Sequence, residues 1–308
     1  MTGASSQRLM DSLMSDESQA AAPLPDEGVY PIREVSRLTG VNAVTLRAWQ
    51  RRYGLVQPAR TEKGHRLYSE QDIRQIGEIL SWLERGVSIG QVKGLLSEPQ
   101  SAPVSDHWQQ TLEQFSQALL AFNQRKAEAE LGDLLASYPF ELVRSRVLQP
   151  LVERLLGLWR ERPDGELLQQ VWLGWLHTRF ARHLIEQEKG VPVTLASWGQ
   201  VGPLDLVWAA YELIGQGYEV QLLGAVEPRH ATLLEGRATP PWLILLGAGL
   251  GKQDQAAEWP AGTRFFGELG RLYDEPWRRA RNWHATLAEV SATTRTAKAK
   301  GKGGRTPS

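Results

Sequence analysis

Apolar positions along the chain fall into three blocks with different periods. In the first, from about Tyr30 to Leu96, Ile32, Val35 and Leu38 recur three apart and predict a short helix ending near Thr39-Gly40. Asn42 is a suitable N-cap for a second helix that carries Leu46, Trp49 and Tyr53 on its buried side. The tight turn LTGVN between the two makes a helix-turn-helix pattern. Gly54, Pro58 and Gly64, among alternating Leu/Val and polar positions, predict a small hairpin. Ser69 then caps a helix from Glu70 to Arg85 bearing Ile73, Ile76, Ile79, Leu80 and Leu83, and a break at Gly86 precedes a last short helix, Ser88 to Leu96.

The second block, about Ser105 to Lys189, has four amphipathic stretches. They run through Leu112 to Phe122, Leu131 to Leu135, Leu142 to Leu158 and Leu168 to Leu184, and predict a four-helix bundle. The third block alternates. Residues 191–197, 218–225, 241–248 and 264–269 read as buried strands, with helical patterns at 203–216, 229–237 and 252–259 and a closing helix from Trp277 to Val290. Strand and helix in alternation predict a parallel sheet with crossover helices.

Charge changes the picture. The net charge is zero, yet residues 33–66 carry Arg33, Arg37, Arg47, Arg51, Arg52, Arg60, Lys63 and Arg66 against Glu34 and Glu62. A basic cluster of this kind is the footprint of a phosphate-binding surface. Residues 1–27 carry one basic and five acidic side chains, and residues 292–308 five basic and no acidic ones. Both stretches are polar and low in aromatics, which predicts disordered tails, the second a basic arm or a solubility tail. The chain has no Cys, which excludes disulfides, thiolate metal sites and a cysteine nucleophile. No apolar run approaches the roughly 20 residues of a membrane span, and the first residues lack a secretory h-region, so the expected place is the cytoplasm.

The helix from Asn42 to Tyr53 has what a DNA-recognition helix needs. Leu46 and Trp49 seat it, while Asn42, Thr45, Arg47, Gln50 and Arg51 are spaced to project outward. The hairpin after it presents Arg60, Lys63, His65, Arg66 and Tyr68, suited to the DNA backbone or minor groove. Spacing alone leaves open a solvated charged helix with no ligand. The motifs are more specific. I-x-E-V-x-x-x-T-G-V, T-L-R-x-W, Y-G-L, G-H-R-x-Y, D-I, G-V-S and V-K-x-L-L follow one another between Tyr30 and Leu96. This stretch resembles the MerR-family winged helix, and RAWQRRYGL with GHRLY is most similar to the MlrA/CarH/LitR branch. The resemblance implies a homodimer, with a tetramer as the alternative, on a two-fold promoter site in double-stranded DNA, acting on RNA polymerase. It also implies base contacts from Thr45, Arg47, Gln50 and Arg51, and phosphate contacts from Tyr53, Arg60, His65, Arg66 and Tyr68.

In that branch the reader is joined to a cobalamin-binding-type region, a helical bundle followed by a flavodoxin-like sheet. The expected architecture is therefore a multidomain α and α/β chain: a winged helix-turn-helix at 28–98, a four-helix bundle at 104–189 and a flavodoxin-like α/β domain at 190–291. The family caps the corrin with a Trp and a Glu-His pair. Trp172 and His183 lie eleven residues apart, on one helix face, but Arg182 stands where Glu is expected. The cobalt-ligating loop, E-x-H-x-x-G in the family, reads Gln200-Val201-Gly202-Pro203-Leu204-Asp205, so Gly202 replaces the ligating His. The resemblance thus implies a degenerate domain with no cofactor, whose candidate ligand pocket combines Trp172, Arg182, His183, Gln200, Gly202, Gly247 and Gly249. The alternative is a light- or adenosylcobalamin-responsive repressor that retains the cofactor.

Other chemistry is thin. Gly247 to Lys252 matches neither the phosphate-loop nor the dinucleotide spacing and reads as a turn after a buried strand. His177 and His183 are six apart, on different helix faces, and no metal spacing or hydrolase motif is present. An enzyme with an appended DNA reader is the reading least supported. The twelve Trp residues fit a core, with Trp159, Trp175 and Trp208 on apolar helix faces.

Overall fold

The first helix, α1 (Ile32–Thr39), buries Val35 and Ser36 and stops at Gly40, whose left-handed φ of 71° lets its N–H return to the Ser36 carbonyl at 3.0 Å. The structure is a computed structural model and describes residues 29–97, 106–159, 161–234, 236, 241–251, 254, 258–260 and 262–267. After the turn, the Asn42 side chain accepts from the Thr45 N–H at 2.8 Å and starts α2 (Ala43–Ala48). This helix runs on into a wider π turn, Trp49–Tyr53, and ends at Gly54. The expected hairpin is β2 (Ala59–Arg60) and β3 (Arg66–Tyr68). A short β1 (Tyr30–Pro31) pairs antiparallel with β3, so the sheet has three strands in the order β1-β3-β2. Ser69 and Asp72 form a reciprocal cap at the start of α3 (Glu70–Glu84), and α4 is Ile89–Ser97.

Four helical rods come next. They are α5 (His107–Leu120), α6 (Gln124–Ser137), α7 (Phe140–Val143) continued by a π turn into α8 (Gln149–Trp159), and α9 (Gly165–Ile185). The third block is a parallel sheet of β4 (Val191–Trp198), β5 (Tyr218–Ala225), β6 (Trp242–Leu246) and β7 (Arg264–Phe266), in the order β5-β4-β6-β7. Helix α10 (Asp205–Gly215) crosses from β4 to β5, and α11 (Pro228–Leu234) leads from β5 toward β6. The helix expected at 252–259 lies largely outside the described residues. The two tails, the closing helix at 277–290 and the side chain of Trp159 lie wholly outside them.

The core is not partitioned as the three blocks imply. One buried cluster runs from Tyr30, Trp49 and Ile79 through Phe115 and Trp172 to Val207 and Trp208 on α10. Two further clusters cover the two faces of the sheet. The first block and the helical rods therefore share one apolar interior, and polar links cross it. Trp49 Nε1 donates to the Ser137 carbonyl at 2.8 Å, Trp108 Nε1 donates to the Leu83 carbonyl at 2.9 Å, and the Ile89 N–H donates to the Tyr138 hydroxyl at 3.2 Å. Among the described residues no helix is long and apolar enough to cross a membrane.

Candidate nucleic-acid interface

Helix α2 is held on two sides. Leu46 and Trp49 enter the core beneath it, and α6 packs along its flank. What stays outward is the stripe Val44, Arg47 and Arg51, at i, i+3 and i+7, with Arg52 beside it. Val44, at the start of this stripe, is an apolar side chain 61% exposed beside the two cations. The hairpin adds Arg60, Lys63 and His65, all exposed. Its tip is fixed by the His65 N–H donating to Thr61 Oγ1 at 3.0 Å, with the Thr61 N–H returning to the His65 carbonyl at 2.9 Å. Arg66 joins the two parts, since its Nε donates to Gln50 Oε1 at 2.6 Å and locks β3 against the end of the helix. A planar guanidinium engaged through Nε keeps its outer nitrogens for an anion.

Four residues expected on this face are placed elsewhere. Thr45 is fully buried, one turn ahead of Trp49 on the same stripe, and does not project outward. The Asn42 side chain is spent on the helix cap. The Tyr53 hydroxyl turns to Ser137 Oγ at 3.1 Å, away from the cationic face. Tyr68 is fully buried in the small sheet opposite Tyr30, and burial raises its phenol pKa above the ordinary value. The expectation missed Arg52 and Val44. Their spacing with Arg47 and Arg51 carries the signal, but only once α6 is known to cover the neighbouring stripe.

The candidate ligand pocket separates into parts. Gln200 exchanges backbone hydrogen bonds with Ala248 at 2.9 and 2.8 Å, so the loops after β4 and β6 are laced together, with Gly247 and Gly249 in the second loop. A side chain at Gly247 would run into the Gln200 backbone. Gly202 donates its N–H to Asp205 Oδ2 at 2.8 Å, and a Cβ there would stand 2.8 Å from the same oxygen. Trp172 is sealed among Phe122 and Trp175, with ring centroids 6.3 and 5.6 Å away. Arg182 is exposed and paired with Glu186. His183 packs edge-on against Tyr211 at 4.9 Å, beside a cavity bounded by Gly215 and Gln216, which lead into the start of β5. Gln200 and Gly202 follow the end of β4, so His183 and this loop lie toward opposite edges of the sheet. The seven residues do not converge on one pocket. A corrin held from below by an imidazole does not fit this loop, because Gly202 offers no ligand and Asp205 occupies the space beside it. Among the described residues no three His, Asp or Glu side chains form a metal cluster.

Comparison with known proteins agrees with the DNA-reading first block. The family model described as "MerR HTH family regulatory protein" matches residues 30–99. The chain is 31% identical to the HTH-type transcriptional regulator MlrA of Escherichia coli (strain K12) over 217 residues, 70% of this chain and 88% of that protein. It is 30% identical to MlrA of Salmonella typhimurium (strain SL1344) over 245 residues, covering 79% and 99%. It is 27% identical to the HTH-type transcriptional repressor CarH of Myxococcus xanthus over 141 residues, covering 41% and 46%. With a matching first block and relatives of this identity aligned over most of their length, the chain belongs to the MerR family of regulatory proteins, as an MlrA-like member.

Proposed function

We propose that the chain is a cytoplasmic, sequence-specific DNA-binding transcription regulator that reads a two-fold promoter site as a homodimer and engages RNA polymerase there. The observation that carries this reading is the outward stripe of Val44, Arg47 and Arg51 on a helix whose other faces are anchored, with the cationic hairpin alongside. Arg47, Gln50 and Arg51 serve as base-edge contacts, and Arg60, Lys63, His65 and Arg66 as phosphate contacts, with the hairpin acting as a wing. Residues 28–98 form the reader, 104–189 a bundle and 190–291 a flavodoxin-like domain whose cobalamin loop has degenerated, so the chain works without that cofactor. Two copies are needed because one small reader makes too few contacts for tight specific binding.

The test is to select a binding site from a randomised duplex pool and measure affinity by fluorescence anisotropy across a salt series. Arg47→Ala and Arg66→Ala are expected to lose tight binding, with the thermal midpoint little changed in the first and lowered in the second by the lost bond to Gln50. Each lost phosphate contact should make the salt dependence shallower by about one unit. Unaltered affinity in both variants overturns the assignment.

A further inference from the structure

Where the first block meets the rods and the sheet there is a cavity of about 390 Å³. That lies within the roughly 300–1,000 Å³ range of small-molecule sites. Neither the loop after β4 nor the loop after β6 contributes to it. Its walls come from three parts of the chain: Ala43 and Val44 at the start of α2, Leu135 and Ala136 on α6, and Tyr211 on α10. A ligand here would touch the first turn of the reader's exposed helix and the rest of the molecule at once.

Two observations indicate that the space is built for an occupant. Gly132 sits in the interior of α6, where Gly is about 1 kcal/mol worse than Ala in general. A Cβ added there would meet nothing within 4 Å, so this turn of α6 leaves open space on the cavity wall. The second is the polar corner. Arg179 reaches the wall with Nε held by Glu128 at 2.7 Å and Nη1 donating to His183 Nε2 at 3.3 Å. Arginine has no acceptor, so His183 accepts through Nε2 and carries its hydrogen on Nδ1. Burial first, then the nearby charges of Arg179 and Arg182, lowers the His183 pKa and keeps the ring neutral. The corner therefore offers a guanidinium, one edge of it paired with Glu128, and an imidazole N–H beside the Tyr211 and Phe140 rings, whose centroids lie 4.8 Å apart. Glu141, held by Arg144, and Glu212 stand on the same walls.

We propose that this cavity is a binding site for a small planar aromatic carboxylate, with the ring against Tyr211 and Phe140 and the carboxylate on Arg179 and His183. Its effect on promoter binding rests on the regulator reading; its existence does not. The test uses the full chain without DNA, so failure here and failure of that reading are told apart. Sodium 2-naphthoate is titrated by calorimetry against its neutral isostere 2-naphthylmethanol, and amide exchange is followed at residues 40–44. Naphthoate is expected to bind one per chain, and the neutral probe about tenfold to a hundredfold more weakly, as loss of a charge-assisted hydrogen bond requires. Exchange at 40–44 should slow when naphthoate is bound. Gly132→Leu fills the cavity and should abolish binding without lowering the thermal midpoint, while Arg179→Met should bind both probes alike. Absence of saturable naphthoate binding, or binding that survives Gly132→Leu unchanged, overturns the proposal.

Discussion

Tyr138→Phe removes one oxygen and leaves the ring, so it isolates a single link between the reader and the helical rods. The hydroxyl accepts from the Ile89 N–H at 3.2 Å and pairs with His107 Nε2 at 2.8 Å. Burial pushes the phenol pKa up to about 12 and holds His107 below the ordinary imidazole value. Both groups are therefore neutral at pH 7, and with either tautomer of His107 the hydroxyl oxygen keeps a lone pair for the Ile89 N–H. Ile89 is the first residue of α4, so its N–H has no partner within the helix, and the residue is 4% exposed. Orphaning a buried amide costs about 1–3 kcal/mol. Half-buried His107 regains water and adds a fraction of one ordinary hydrogen bond. A loss of about 2 kcal/mol lowers the midpoint of a 150–250-residue unit by about 4–8 °C. It also speeds exchange at the Ile89 amide by about thirtyfold. Because the core is continuous across this link, the unfolding transition should move as a whole. A shift under about 1 °C with Ile89 protection unchanged would show that the hydroxyl does not satisfy that amide.

Trp49→Phe deletes the bond to the Ser137 carbonyl and part of a fully buried ring. It is expected to cost about 2–4 kcal/mol and to separate reader melting from rod melting in a calorimetric scan; an unbroken single transition at the wild-type midpoint refutes the coupling. Ser69→Ala removes the reciprocal cap of α3 and should cost about 1 kcal/mol in urea unfolding, with a null result placing the cap outside the folding energetics. His107 and His183 are both held below the ordinary imidazole value, first of all by burial. Below about pH 6.5 the unfolded chain binds more protons than the folded one. Stability should be level above that pH and fall as the pH drops toward 5, and a thermal midpoint independent of pH between 8 and 5 contradicts this. Adenosylcobalamin added in the dark should leave its absorbance and the light-scattering mass unchanged; a stoichiometric spectral change with a jump in mass would mean that the Gly202 loop does not disable the site.

Elements whose reasons are local were readable from sequence. Asn42 and Gly40 bound the turn, Ser69 and Asp72 start α3, and the runs in β4 and β6 are largely apolar and buried on both faces, as in an interior parallel sheet. Strand β1 was not readable, since two residues carry no period. The π turn at Trp49–Tyr53 was not either, because its apolar spacing fits an ordinary helix. The errors at Thr45, Tyr53 and Tyr68 share a cause. Polarity predicts exposure only where nothing covers the residue. Tyr53 is turned aside by Ser137 of α6, distant in sequence, and Tyr68 is enclosed by the reader's own small sheet. The pocket failed for the same reason: helix periodicity aligned Trp172 with His183, but burial of one and the Tyr211 contact of the other assign them to different neighbourhoods.

The shared core bears on how the rods could influence the outward helix. A reader tied to the remainder only by a connecting segment would feel its partner through proximity alone. Here Trp49 and Tyr53, which end the helix that carries Arg47 and Arg51, both bond to Ser137. The adjacent Tyr138 holds the start of α4. The last turn of α6 thus grips the exposed helix at its end, while Gly132 and Ala136 of the same helix line the cavity at its start. Packed interiors deform little and move as bodies, so a shift of α6 must carry the cationic stripe with it. In a two-fold complex the distance between the two stripes sets the fit to the half-sites. A displacement of α6 too small to disturb the core would still change that distance in the two-copy complex proposed above, and α6, unlike the loops at the carboxyl edge of the sheet, is placed to produce it.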